Sequence, residues 1–349
     1  MRLGLSLGYW GSGTDPRGQL EVAREAERLG YSVVWAAEAY GSDSVTMLSW
    51  LAAQTDRIDV GSAVMQIPAR AATMTAMTAA SLDTLSQGRF RLGLGVSGPQ
   101  VSEGWYGVPF AKPLGRSREY IAVVRQALAN KPVTYEGDHI RLPLPDGPGK
   151  PLRLAIRPPR SRIPIYLAVI GPKNLELAGE VADGWLAVFF APEFAAEQLD
   201  RVAAGAAKAG RDVSEFDVVP TVPVVVGDDP RECADMVRDY CALYIGGMGS
   251  REQNFYNRLA TRMGYGEAAE RIQRLYLDRK HREAAAAVPF EFIDRTCLLG
   301  SRDRIADRMR AFADAGVTTL SVSTFDRDDQ GRLATLRVAA EAAEAAGVA

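Results

Sequence analysis

Strand-like and helix-like segments alternate along most of this 349-residue chain. A short apolar run at residues 3–8 precedes an amphipathic segment at 15–29, in which Leu20, Ala23 and Ala26 recur at helical spacing. Such alternation is typical of a parallel sheet covered by helices. The predicted strands are residues 3–8, 31–36, 58–64, 90–95, 163–170, 184–189, 216–226 and 318–323. The predicted helices are residues 15–29, 44–54, 71–85, 174–182, 193–209, 301–315 and 333–346.

Eight predicted strands favour one α/β domain, a (β/α)8 TIM barrel spanning residues 1–349. Such a barrel needs about 250 residues, so we expect loop insertions. Two segments are predicted as insertions: the Pro- and Gly-rich residues 131–162, with a hairpin at 133–142, and the helical residues 230–300. The alternative, an open doubly wound sheet, predicts a G-x-G-x-x-G turn after the first strand. Tyr9 and Trp10 occupy that turn, which favours the barrel.

Composition argues against several classes of protein. A net charge of −2 gives no general attraction to nucleic acid or to an anionic membrane. Cys233, Cys241 and Cys297 have no metal-ligand spacing and the chain has two histidines, so no metal site is predicted. No apolar run is close to the length of about 20 residues that a membrane-spanning helix needs. The N-terminus lacks a signal-peptide pattern. We therefore expect a cytoplasmic protein.

The segment AMTAASLDTLSQGRFRLGLGVSGP, residues 76–99, resembles the signature of the luciferase-like superfamily. The wider pattern, from about residue 3 to 323, is similar to the F420-dependent branch that includes methylenetetrahydromethanopterin reductase. The resemblance implies a (β/α)8 barrel that transfers a hydride between the deazaflavin F420 and a small organic substrate at the carboxyl ends of the strands, commonly as a homodimer. An FMN-dependent monooxygenase is the alternative within the superfamily. Alternatives of other classes are a hydrolase or isomerase barrel and a non-catalytic ligand-binding barrel.

Three strand ends are predicted to contact the cofactor. Gly95-Val96-Ser97-Gly98 leaves the fourth strand, where two glycines let backbone N–H groups approach a polar ligand. Ile170-Gly171-Pro172-Lys173 joins a strand to a helix, and the open N–H groups of such a turn suit a phosphate. Ala63-Val64 matches the bond that is a non-proline cis peptide in F420-dependent relatives.

Glu38 and Tyr40, after the second strand, are the predicted catalytic residues. Partial burial would raise the pKa of Glu38 and suit it to proton transfer, and Tyr40 offers a hydroxyl as the alternative. Some relatives, such as F420-dependent glucose-6-phosphate dehydrogenase, have His and Glu where this chain has Ala39 and Pro99, which argues against that mechanism here. Loop aromatic residues are predicted to form a flat-walled apolar pocket: Tyr9, Trp10, Tyr40, Trp105, Tyr106 and Phe110.

Charged residues are assigned to two different roles. Asp83, Arg89 and Arg91 are predicted to form ion pairs that fix helix against strand. Ser42 or Asp43 is predicted either to cap a helix or to contact a ligand. The acidic tail of F420 requires cations, and the candidates are Arg70, Lys112, Arg160, Arg162 and Lys173.

Overall fold

Twelve strands are present in a computed structural model of the chain, which describes residues 1–348. They are β1 (Arg2–Ser6), β2 (Val33–Ala36), β3 (Asp59–Ser62), β4 (Met65–Gln66), β5 (Phe90–Gly95), β6 (Tyr135–Glu136), β7 (Arg141–Leu142), β8 (Ile165–Ala168), β9 (Gly184–Val188), β10 (Asp217–Val226), β11 (Leu298–Gly300) and β12 (Thr319–Thr324). Eight of these strands are joined in the order β1-β2-β3-β5-β8-β9-β10-β12. Because β12 also pairs with β1, the eight strands form a closed ring.

The closed ring is parallel throughout. β10 pairs with β9 over residues 217–221 and with β12 over residues 221–224, which closes the barrel on that side. Short strands β4 and β11 extend the sheet beside β5 and β10, and β6 and β7 form a separate hairpin. The predicted (β/α)8 barrel is therefore confirmed.

Helices cover the outside of the barrel and extend beyond it. They are α1 (Pro16–Arg28), α2 (Ser44–Ala52), α3 (Ala72–Leu85), α4 (Pro99–Gly104), α5 (Pro113–Leu128), α6 (Pro172–Val181), α7 (Ala195–Lys208), α8 (Pro230–Asp235), α9 (Arg238–Ala242), α10 (Phe255–Ala260), α11 (Gly266–Leu277), α12 (His281–Ala286), α13 (Phe290–Thr296), α14 (Arg302–Asp314) and α15 (Asp329–Ala345). Two π-helical segments, Leu243–Gly247 and Thr261–Tyr265, follow α9 and α10. Among the described residues, no helix combines the length and apolar character needed to cross a membrane.

The predicted barrel strands agree with the structure to within two residues at each end. The closing helix begins at Asp329, four residues earlier than predicted, where the carboxylate of Asp328 accepts a hydrogen bond from the Gly331 N–H (2.8 Å). The 16-residue helix α5 is absent from the sequence prediction. It connects β5 to the first insertion, and it decides on which side of the barrel that insertion lies.

The two insertions lie at opposite ends of the barrel. Residues 131–162 follow the end of α5 and precede β8, so they lie at the end where the strands begin. Residues 230–297 follow the end of β10 and contain α8 to α13, so they lie at the end where the strands finish, which we call the mouth. The second insertion has an apolar core of its own, separate from the core between the barrel and its outer helices.

Trp35 fills much of the interior of the barrel. Its side chain is buried, and its ring occupies the space that a side chain at Gly61 would need. The ring meets Tyr166 edge to face, with 5.3 Å between centroids. Below it Arg91 donates hydrogen bonds to Asp59 (2.8 Å) and Asp217 (3.2 Å). The interior is thus filled by Trp35 and, where the strands begin, by an ionic layer.

Candidate active site

The predicted cofactor-binding residues lie together on one half of the mouth. They follow β3, β5 and β8, which are consecutive neighbours in the barrel, and Glu38 and Tyr40 follow the adjacent β2. Parallel pairing places the carboxyl ends of all four strands at the same rim. The four loops named by the sequence therefore meet in space, although they span residues 38–173.

Small apolar side chains form a flat surface at the ends of β3, β5 and β8. We call Ala63, Val64, Gly95 and Ala168 the strand-end ledge. Gly95 pairs with Ala168, and a Cβ atom at Gly95 would lie 2.7 Å from Cγ2 of Val64, so a larger residue would displace that side chain. The peptide bond between Ala63 and Val64 is cis, at the position that the resemblance indicates. No long side chain projects from any of these four positions.

The loop after β5 continues the ledge outwards. Val96, Ser97 and Gly98 are half-buried, and Ser97 has a left-handed backbone (φ 62°) that turns the chain sharply. Gly98 is the N-cap residue of α4 and provides no side-chain cap. Polar backbone groups of this loop therefore lie beside the apolar ledge.

Helix α6 begins with an open backbone turn at the other side of the ledge. Gly171 is the N-cap residue with φ 91°, no side chain caps the helix, and a Cβ atom at Gly171 would meet no atom within 4 Å. Pro172 occupies the first turn, and the Asn174 N–H donates to the Gly171 carbonyl oxygen (3.1 Å). Ile170 is half-buried and Lys173 is exposed. The positive end of the helix dipole faces unfilled space, which suits an anionic group.

Glu38 is buried within a dense network of hydrogen bonds. One carboxylate oxygen accepts from the backbone N–H of Gln66 (2.9 Å), and the other accepts from the Ser44 hydroxyl (2.8 Å). The guanidinium of Arg70 contacts both oxygens, at 2.9 Å for Nη2 and Oε2. Arg70 also pairs with Asp43 (2.9 Å). These contacts tie the ends of β2 and β4 to the start of α2.

This network overturns the pKa expected for Glu38. Burial acts to raise the pKa, but the hydrogen bonds and charge of Arg70 and the N–H of Gln66 outweigh it, so the pKa of Glu38 is lowered. The predicted rise is therefore wrong, because the sequence does not show that Arg70, 32 residues away, contacts Glu38. A carboxylate held ionised by five donor contacts is poorly suited to exchange a proton near neutral pH.

Polar residues around Tyr40 have structural roles. Asp43 caps α2 by accepting from the Thr46 N–H (2.8 Å), and the Ser42 hydroxyl accepts from the Trp10 N–H (2.8 Å). Of the two roles predicted for this pair, capping is the one that Asp43 performs. Tyr40 itself is 60% exposed and therefore remains accessible at the mouth.

The six loop aromatic residues that were predicted to form one pocket lie in different surroundings. Tyr9 lies beside Tyr40 at the mouth, with centroids 6.5 Å apart. Trp10 instead packs edge-on against Trp50 of α2 (6.1 Å), and Trp105 is 64% exposed. The Tyr106 hydroxyl donates to the Ala39 carbonyl oxygen (3.2 Å), and Phe110 lies 6.4 Å from Phe255 of the second insertion. The loops therefore supply part of an aromatic mouth, not the complete pocket that was predicted.

Five further aromatic residues at the mouth were not among those predicted from the sequence. We call the following group the aromatic wall: Phe189, Tyr240, Tyr244, Tyr256 and Phe325. Phe189 and Phe325 follow β9 and β12, while the three tyrosines belong to the second insertion. The sequence signal for this group was a pair of tyrosines four residues apart, Tyr240 and Tyr244, in a segment that follows a barrel strand.

Most of the predicted cofactor cations are engaged or lie at the wrong end of the barrel. Arg160 pairs with Asp83, and Arg162 pairs with Asp183, both where the strands begin. Arg70 is engaged by Glu38 and Asp43. Lys112 and Lys173 remain at the mouth, each at the start of a helix.

The ion pairs predicted for the remaining charged residues are confirmed for two of the three. Asp83 accepts from Arg160, and Arg91 of β5 pairs with Asp59 of β3. Arg89 forms no ion pair within residues 1–348 and instead donates to backbone carbonyl oxygens, including that of Thr55 (2.8 Å). All of these contacts lie where the strands begin, away from the mouth.

Comparisons with known proteins agree on the family. The family model described as luciferase-like monooxygenase matches residues 4–319. A Mycobacterium tuberculosis protein provisionally named a coenzyme F420-dependent oxidoreductase is 42% identical over 96% of this chain and 99% of its own length. The 5,10-methylenetetrahydromethanopterin reductase of Archaeoglobus fulgidus is 30% identical, covering 84% of this chain and 85% of its own. The solved structure of the coenzyme F420-dependent tetrahydromethanopterin reductase from Methanopyrus kandleri superposes with a TM-score of 0.81 over 97% of both chains, at 24% identity.

Replacement of Glu38 by Gln tests whether its charge holds the mouth together. Glu38→Gln should lower the free energy of unfolding by about 2–4 kcal/mol at pH 7, because it leaves the buried guanidinium of Arg70 with one carboxylate partner. A lowered pKa means that the ionised carboxylate stabilises the fold above the ordinary Glu value of 4.5 and that this stability is lost as the pH falls further. The stability gap between wild type and variant should therefore narrow between pH 6 and pH 3.5 in denaturant titrations.

Glu180→Gln provides the matched control. The Arg118–Glu180 pair has side chains 44% and 32% exposed, so its loss should cost about 1 kcal/mol or less. If Glu38→Gln is no more destabilising than this control, the buried network does not organise the mouth.

Proposed function

The chain belongs to the luciferase-like monooxygenase family and is an oxidoreductase, and we propose that it uses coenzyme F420 to transfer a hydride to or from a small organic molecule. The observation that carries the proposal is the open, uncapped start of α6 at Gly171 beside the strand-end ledge. This pair of features offers a phosphate site next to a flat apolar surface. The name of the 42% identical Mycobacterium tuberculosis relative supports F420 over FMN.

The residues present fit this cofactor. F420, when bound, supplies a hydride from its deazaflavin ring, and it also carries a phosphodiester and an oligoglutamate tail. In the proposal the strand-end ledge supports the ring, and the backbone around Ser97 and Gly98 contacts its polar edge. The start of α6, Gly171 to Lys173, holds the phosphodiester through backbone N–H groups and the lysine charge.

Cations beyond α6 suit the acidic tail. A groove lined by Pro172, Arg201 and Arg262, and also by Glu197, lies beside the start of α6. Arg201 also contacts Glu176, at 3.4 Å. Lys173 and Arg262 are exposed, and the side chain of Arg201 is 47% exposed. We infer that these three residues replace Arg160 and Arg162 as tail-binding cations.

The proton partner in the proposal is Tyr40. Glu38 acts as a positioning residue, because its charge neutralises Arg70 and its hydrogen bonds fix the loop that carries Tyr40. Tyr40 is accessible at the mouth and can donate its phenolic proton to a substrate oxygen or nitrogen. A fall in kcat for Tyr40→Phe, with unchanged cofactor affinity, would support this role.

The proposal includes a homodimer, which rests on the resemblance alone. It also includes a cytoplasmic location, which agrees with three free cysteines, Cys233, Cys241 and Cys297.

Cofactor choice is the first test. The purified protein should bind F420 at least about tenfold more tightly than FMN, because cations line the path from the start of α6. Titration followed by quenching of F420 or FMN fluorescence measures both dissociation constants. FMN binding as tight as that of F420 would favour the FMN-dependent monooxygenase, and binding of neither would favour a barrel without a flavin-type cofactor.

Substitution of Gly171 tests the phosphate site. Gly171→Val should weaken F420 binding by about tenfold or more, since a side chain there would enter the open space above α6 and valine disfavours a φ of 91°. The measurement is the dissociation constant for F420, with thermal unfolding as the check on folding.

Gly210→Val is the control for backbone strain. Gly210 also has a positive φ, 64°, and open space around its Cβ position, but it follows α7 at the opposite end of the barrel. Its substitution should leave F420 affinity unchanged. Equal affinities for the two variants would show that the phosphate binds elsewhere.

A further inference from the structure

The mouth consists of two chemically different halves. The half formed by β3, β5 and β8 ends in small residues and backbone groups. The half formed by β9, β10 and β12 is covered by the second insertion and carries the aromatic wall. The strand-end ledge and the aromatic wall therefore belong to the same rim of the barrel.

The aromatic wall is a continuous set of rings in contact. Phe189, after β9, has ring centroids 5.7 Å from Tyr240, 5.7 Å from Tyr244 and 6.2 Å from Tyr256. Tyr244 lies 4.6 Å from Tyr240 and 4.7 Å from Tyr256, and Tyr240 lies 5.4 Å from Phe325. Phe189 is buried, and the three tyrosines and Phe325 are partly buried.

Tyr244 links the wall to the barrel loops. It lies in the π-helical segment Leu243–Gly247, and such segments are frequent at functional sites because they redirect a side chain. Tyr9 and Tyr40 follow β1 and β2 at the same rim of the barrel as Phe189 and Phe325 of the wall, which follow β9 and β12. The wall therefore shares that rim with the loop that carries the proposed proton partner.

The wall is an uncharged environment with hydroxyl donors. Burial and neighbouring tyrosines raise the pKa of Tyr244 to about 12, against a smaller opposing effect of a hydrogen bond with Tyr240. Burial and Tyr244 hold the pKa of Tyr256 well above its usual value. The wall itself consists of phenyl and phenol rings and contains no charged side chain. The phenols therefore stay protonated at neutral pH, and a charged group placed among them would lose hydration without gaining a partner.

We propose that the aromatic wall is the substrate site and that it selects an uncharged, flat, conjugated carbonyl compound. The conjugated ring would stack among Tyr240, Tyr244 and Tyr256, and its oxygen would accept a hydrogen bond from the Tyr244 hydroxyl. This inference rests on the proposed function, since it assigns the substrate class of the same site.

Three probes that share an acetyl group on a fused two-ring skeleton test separately how ring flatness and charge affect binding. The flat neutral probe is 2-acetylnaphthalene, the charged one is 6-acetyl-2-naphthoate and the saturated one is 2-acetyldecalin. Each dissociation constant is measured by equilibrium dialysis against protein saturated with oxidised F420, so that no turnover occurs. The neutral naphthalene should bind about tenfold more tightly than the carboxylate and about fivefold more tightly than the decalin.

Substitutions locate the probe. Tyr244→Leu should weaken binding of 2-acetylnaphthalene by about two- to tenfold through lost aromatic contact, and Tyr244→Phe by about threefold through the lost hydroxyl. Neither should change the affinity for F420. Tyr135→Leu, in the β6–β7 hairpin of the first insertion, is the control and should change nothing. If Tyr244→Leu fails to fold, the conservative Tyr244→Phe still tests the hydrogen bond.

Two results would overturn the inference: a carboxylate that binds as tightly as the neutral probe, or Tyr244 variants that fold and bind it as wild type does. F420 affinity is measured in parallel, so failure of the cofactor assignment is seen independently. If F420 does not bind, the same titrations on the protein alone still compare the three probes and the Tyr244 variants.

Discussion

Closure of the parallel barrel determines where chemistry can occur. β10 hydrogen-bonds to both β9 and β12, and with β1 paired to β12 no edge of the eight-stranded ring is left open. Every loop that leads from a strand to a helix then lies at one rim. This constraint places Tyr40, Val64, Ser97 and Gly171 at one end of the molecule, although no two of them are neighbours in the sequence.

The side chains inside the barrel also make its two ends different. Where the strands begin, Arg91 bridges Asp59 and Asp217, and the Tyr166 hydroxyl donates to Asp217 (2.9 Å). Above this ionic layer Trp35 fills the barrel, with a glycine rather than a side chain at the site of its ring. Burial of so large a ring is worth about 3–5 kcal/mol. The same packing that stabilises the barrel therefore closes its lower end and supports the strand-end ledge from beneath.

Local pattern was sufficient to predict the barrel, but not the partners of its charged residues. Buried strands such as β5 are apolar runs whose limits depend on neighbouring residues in sequence, and their bounds were predicted closely. The pKa of Glu38 depends instead on Arg70, which follows β4. The two residues meet only in the folded barrel, where β2 pairs with β3 and where β3 and β4 both pair with β5. Burial alone predicts a raised pKa, and the contact reverses the sign.

The misplacement of Arg160 and Arg162 has a related cause. An insertion between a helix and the next strand lies where strands begin, whereas one between a strand and the next helix lies at the mouth. Because α5 was not predicted, the sequence did not show at which end of the barrel the first insertion lies. Pro113 at the first turn of α5 and the spacing of Ile121 and Val124 were the available signals.

The same topological rule explains why the second insertion, and not the first, lies at the mouth. Residues 230–297 follow the carboxyl end of β10 and so cover the mouth, where Tyr240 and Tyr244 meet Phe189 from β9. Their helices pack on their own apolar core, distinct from the one beneath the outer barrel helices. The strand-end ledge is built from backbone and small residues that belong to the barrel itself. Side chains of the insertion can therefore differ in shape and polarity without any change in the barrel residues that form the strand-end ledge.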